Sequence, residues 1–116
     1  MKFLILLTED DPSAWERATE EQRQQVFAQH DRFSTALAER GSIEAGEALA
    51  GVEEARTLRL VDGVRTVTDG PYAETAEQLG GFYLVDLPDA DVAVELCRLL
   101  PESYTVEVRP AVEVGM

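Results

Sequence analysis

"MKFLILLTEDD", Met1 to Asp11, decides how this chain folds. Written as an extended segment, Phe3, Ile5 and Leu7 point to one side, and Leu4 and Leu6 point to the other. A strand that is apolar on both faces sits in the middle of a sheet, covered from both directions. Met1–Thr8 is therefore expected to be a central first strand. The same stretch argues against export or membrane insertion. Its apolar run is five residues, Phe3 to Leu7, with one lysine before it. A signal peptide needs roughly seven or more apolar residues and a membrane helix about 20. The expectation is a cytoplasmic protein without a membrane partner.

Moving outward, two capping-box patterns follow, Ser13 with Glu16 and Thr19 with Gln22. They predict a short helical turn carrying Trp15, then a long helix from about Thr19 to Arg40 that Gly41 stops. At about 100° per residue, Val26, His30, Phe33 and Leu37 fall within a stripe of about 60° on that helix. "IEAGEAL" is a strand start, and "ARTLRL" and "VRTVT" are strands joined by Asp62-Gly63, a two-residue type I′ turn signal. "GFYLVDL" is the next strand. Asp89 caps a second amphipathic helix with apolar positions Val92, Ala93, Leu96, Leu99 and Leu100, which Pro101 ends. "YTVEVRPAVEV" closes the chain as a strand.

This order predicts an α+β ferredoxin-like sandwich, an antiparallel sheet of four or five strands with two helices on one face. Two helices leave the other sheet face bare, yet the first strand is apolar there as well. A second copy of the chain would cover it, so the expected assembly is a homodimer with sheets face to face, a dimeric α/β barrel.

Composition narrows the function. The 116 residues, 45% apolar and without repeats or a linker, are expected to form a single domain, 1–116. The net charge of −13, with arginines scattered, disfavours nucleic acid and anionic membranes. One cysteine, Cys97, excludes an internal disulfide and a thiolate metal cluster. Its apolar neighbours Val94, Leu96 and Leu99 predict an inert buried thiol. No metal motif, phosphate loop or nucleophile elbow is present, and no metal or cofactor is expected.

Two features stand out. Between "TVT" and "GFYLVDL" lie far more residues than a hairpin requires, where about two to five suffice. Within them, Asp69-Gly70-Pro71-Tyr72 forms a sharp turn at a strand end, and Gly80-Gly81 permits close backbone approach. Pairing outward from Asp62-Gly63 puts Arg56 opposite Asp69, a candidate ion pair. Either the turn only breaks the strand, or it holds a carboxylate at a site. His30, the only histidine, lies in the middle of an apolar stripe. Either it is a core residue satisfied by a carbonyl or water, or it lines a pocket as an acid-base group. In the second case Asp69 is the candidate partner, fixing its tautomer and raising its pKa. Gly70, Pro71, Tyr72, Gly80 and Gly81 are then candidate binding residues around the cleft.

The stretch "VTDGPYAETAEQLGGFYLVDL" resembles the hallmark of the DGPF group within the YCII-related proteins, whose typical form reads close to DGPFAETKEQLGGF. In weaker form the resemblance covers "MKFLILL", the helix ending in "ERG", "DADVAVELC" and "VEVRPA". It implies a ferredoxin-like dimer. A related branch carries a helix histidine 11 residues before a glycine, the spacing of His30 and Gly41. That branch is proposed to use a histidine–aspartate pair in a cleft, which implies His30 and Asp69 here. Tyr72 departs from the usual phenylalanine and Ala76 from the usual lysine. Members often sit beside genes for extracytoplasmic-function sigma factors, which implies regulatory or stress-linked work. Three functions are in view: a small-molecule cleft with acid-base chemistry, a non-catalytic dimeric module for a protein partner or effector, and a cofactor-free monooxygenase-like dimer suggested by fold analogy only.

Overall fold

A computed structural model describes residues 1–73 and 77–115. Its elements are β1 (Lys2–Glu9), α1 (Ala14–Arg17), α2 (Glu20–Ala38), β2 (Ser42–Ala48), a 3-10 turn (Val52–Glu54), β3 (Arg56–Val61), β4 (Val64–Asp69), β5 (Gln78–Asp86), α3 (Ala90–Cys97) and β6 (Tyr104–Pro110). Four strands form one antiparallel sheet in the order β2-β5-β1-β6. With the β3–β4 hairpin set aside, that is the order of a ferredoxin-like α+β sandwich, and β1 is central as its two apolar faces demand. The hairpin does not join this sheet. It forms a separate two-stranded sheet, so the main sheet has four strands, within the expected four or five.

The core lies between the main sheet and α2 and α3. Phe3, Ile5, Val85, Phe33, Leu37 and Ala93 are fully buried there. Leu4, Leu6, Phe82 and Leu84, on the other face of the same strands, are only half-buried. Thr19 forms the expected capping box, its hydroxyl accepting from Gln22 N while Thr19 N donates to the Gln22 amide oxygen. Asp89 accepts from Val92 N at the start of α3. The Ser13–Glu16 box does not form; Asp11 instead accepts from Ser13 N and Oγ, and Arg17 pairs with Asp11.

Gly41 has a different reason from the one expected. It does not take the left-handed conformation of a helix cap, since the positive-φ glycines among the described residues are Gly63 and Gly70. A Cβ at Gly41 would lie 1.9 Å from the Asp86 carbonyl oxygen, so close packing of the α2–β2 turn against β5 requires glycine. The Asp62-Gly63 turn does have both residues at positive φ, 50° and 81°, as a type I′ hairpin needs.

Candidate functional site

The alternation that buries Phe3, Ile5 and Leu7 carries Glu9 to the same face of β1. At this end the helical cover thins. Trp15 of α1 and Val26, Phe27 and His30 of α2 stand over the sheet rather than against it, leaving a cleft of about 500 Å³. Its floor is the ends of β1, β5 and β6.

His30 lies inside this cleft, half-buried. Its Nδ1 is 2.6 Å from the Tyr83 hydroxyl and its Nε2 is 3.3 Å from the Tyr104 hydroxyl. Tyr83 and Tyr104 come from β5 and β6, which flank β1 at Ile5 and Glu9. Gly46 of β2 pairs with Tyr83, and a Cβ there would lie 2.8 Å from the Tyr83 ring. Phe33 supports the same ring, with centroids 4.9 Å apart.

Burial lowers the His30 pKa from its ordinary 6.5, with Asp31 opposing the shift. Desolvation penalises the imidazolium, and within one chain no carboxylate is bonded to the ring to raise the value. Burial also raises the pKa of both phenols, so they stay protonated. A neutral imidazole has one N–H to donate and one nitrogen to accept, and two hydroxyls suit both. The result is a Tyr83–His30–Tyr104 chain able to accept or pass on a proton at the cleft wall.

Glu9 completes the floor. Burial raises its pKa above the ordinary 4.5, and its carboxylate forms no hydrogen bond or ion pair among the described residues. It occupies the space over Gly80, where a Cβ would lie 2.2 Å from Glu9 Oε1. Gly80 is the extra residue of a β-bulge, since Leu7 pairs with Gly81 and Thr8 with Leu79.

The candidate residues therefore divide. His30, Gly80 and Gly81 line the cleft. The glycines lie inside β5, not before it. Asp69, Gly70, Pro71 and Tyr72 do not line it within one chain, and the direct His30–Asp69 hydrogen bond is not formed. Asp69 ends β4 opposite Arg56, the expected register, but the two form no ion pair. Gly70, at φ 108°, donates its N–H to Ala55 O and accepts from Thr57 Oγ1, which folds the turn onto its own hairpin. Tyr72 is exposed, with the Arg59 guanidinium 5.3 Å from its ring centroid. Ala76 lies outside the described residues. Sequence reasoning missed Glu9, Tyr83 and Tyr104. The period-2 alternation of β1 would have placed Glu9, but only the sheet order brings the two tyrosines to one histidine.

Burial pushes the Cys97 thiol up to about 11, in keeping with an unreactive side chain. Among the described residues no three His, Cys, Asp or Glu side chains gather as a metal-binding group, and no helix is long and apolar enough to cross a membrane.

Known proteins place the chain by similarity. It is 34% identical over 116 residues to "Uncharacterized protein R00369" of Rhizobium meliloti (strain 1021), covering 95% of this chain and 91% of that protein. Residues 1–114 match the YCII-related domain, and the chain belongs to that family.

Proposed function

We propose that the cleft binds a small molecule and exchanges a proton with it through His30. The observation that carries this reading is the His30 imidazole held between two phenol hydroxyls at the wall of a cleft of about 500 Å³. Such a volume lies in the range of small-molecule sites, roughly 300–1,000 Å³. A half-buried imidazole with a hydroxyl at each ring nitrogen is placed to act as an acid-base group.

The "DGPYAETAEQLGGF" stretch supports the DGPF subgroup within the family. Asp69, Gly70, Pro71 and Tyr72 enter the proposal through a homodimer. The hairpin that ends at Asp69 exposes Leu58, Leu60, Val64 and Val67 and is bonded into no larger sheet. A partner chain would cover it, and that is how the turn would meet a cleft. The same uncovered apolar hairpin favours a second reading, a dimeric module without catalysis.

Proton NMR titration of His30 in wild type, Tyr83→Phe and Asp69→Asn separates these. The expected wild-type pKa lies below 6.5, with a shift in Tyr83→Phe. A further shift in Asp69→Asn brings Asp69 to the site, and an unchanged value removes it. A His30 that ignores Tyr83→Phe and every screened small molecule overturns the proton-exchange reading.

A further inference from the structure

We propose that the ligand of this cleft is an organic cation, an amine or quaternary ammonium on an apolar or aromatic body, with Glu9 as its counter-charge. The inference rests on the small-molecule reading above and goes beyond it by assigning the charge and character of the ligand.

Charge is the first observation. Glu9 and Glu47 line the cleft, and among the described residues no lysine or arginine does. An adjoining cavity of about 360 Å³ shares Glu9, Trp15, Leu49 and Gly80 with it and adds Glu16 and Glu53, again without a basic side chain. A carboxylate or phosphate ligand would meet like charge with no counter-ion. The net charge of −13 gives the whole molecule a field that draws cations inward.

Glu9 itself is the second. A partly desolvated carboxylate is ordinarily paired or hydrogen-bonded, because water has been removed from it at a cost. Glu9 has neither kind of partner among the described residues, while Gly80 leaves the space that lets it lie across the cleft floor. Arg23, which packs on Trp15, is engaged there; it donates to Trp15 O and its guanidinium lies 5.1 Å from the Trp15 ring centroid.

The walls are the third. Trp15 and Phe27 meet edge to face, centroids 5.5 Å apart, and stay 40% and 50% exposed at the cleft. Aromatic rings beside an unpaired carboxylate are the recognition chemistry of an ammonium on a hydrophobic body. A bare metal ion would want several oxygen ligands together, and the described residues offer no such group.

The test uses the whole protein with three probes of similar body: benzyltrimethylammonium, benzyl alcohol and benzoate. Binding is read from the Trp15 indole and His30 ring NMR signals and from calorimetry. The ammonium probe is expected to bind at least about tenfold more tightly than the alcohol, and benzoate not at all. Glu9→Gln, close in shape, should remove the preference for the ammonium over the alcohol. Glu9→Asp, which keeps the charge but withdraws it, should fall between. If the alcohol binds as well as the ammonium, or Glu9→Gln leaves the preference intact, the cation inference is overturned and the small-molecule cleft stands. If no probe disturbs Trp15 or His30, both fall together.

Discussion

Glu9 and His30 occupy one cleft, and burial shifts the pKa of each in the direction that penalises its charged form. Their linkage to stability has opposite signs. The folded-state pKa of Glu9 lies above 4.5, so its contribution is fully present below that pH and is lost as pH rises through the raised value. At neutral pH an ionised Glu9 therefore opposes folding, and Glu9→Gln should raise the denaturation midpoint at pH 7, the gain shrinking towards pH 4. Urea titrations of both proteins across that range check this; a Glu9→Gln protein that is less stable at pH 7 would contradict it. For His30 the folded value lies below 6.5, so its contribution is present above that pH and is lost as pH falls towards the folded value. Glu9, which costs stability at neutral pH yet lines a cleft, is placed as a binding role leads one to expect.

Among the elements, the turn from α2 into β2 packs with backbone against β5. A Cβ at Gly41 would strike the Asp86 carbonyl oxygen at 1.9 Å, with Leu87 Cδ2 at 3.0 Å. The obstacle is backbone of a central strand pair, so it cannot swing aside as a side chain would. Gly41→Ala is expected to cost about 2 kcal/mol or more, as overpacking at such a contact does. Gly63→Ala meets no atom within 4 Å, and its penalty comes only from its positive φ of 81°. Thermal melts of the two variants should rank Gly41→Ala as the more damaging; the reverse order would show that the α2–β2 turn can relax. The helix that ends at this turn carries His30, so a shift there should also move the imidazole relative to Tyr83.

At the scale of the molecule, the chain is a plate of 50 × 45 × 18 Å with a radius of gyration of 16.3 Å. A compact chain of this length has roughly 13 Å. The difference comes from the β3–β4 hairpin, which packs extensively against no other element, and a two-stranded hairpin on its own is marginal in water. Together with the half-buried outer face of β1 and β5, it supports the homodimer. Light scattering at micromolar concentration should give about twice the 12.8 kDa chain mass, and Leu60→Glu on the hairpin should weaken the association. A wild-type monomer would refute the homodimer and leave the apolar hairpin unexplained.

What the sequence by itself determined was everything written in local periodicity and turn chemistry. The double-faced apolar run put β1 at the centre, Thr19 and Asp89 set the helix starts, and Asp62-Gly63 fixed the hairpin register that pairs Arg56 with Asp69. The helical stripe put His30 on the inner face with Phe33 and Leu37. Tertiary structure decided which groups meet that face. Tyr83 and Tyr104 lie 53 and 74 residues from His30 along the chain, and only the order β5-β1-β6 carries them to its two ring nitrogens. Asp69 is a candidate partner because a carboxylate at a turn is visible in sequence; within one chain the hairpin that holds it folds onto itself. Periodicity records which side of its own element a residue faces; the partner across the gap depends on non-local pairing, which no local pattern encodes.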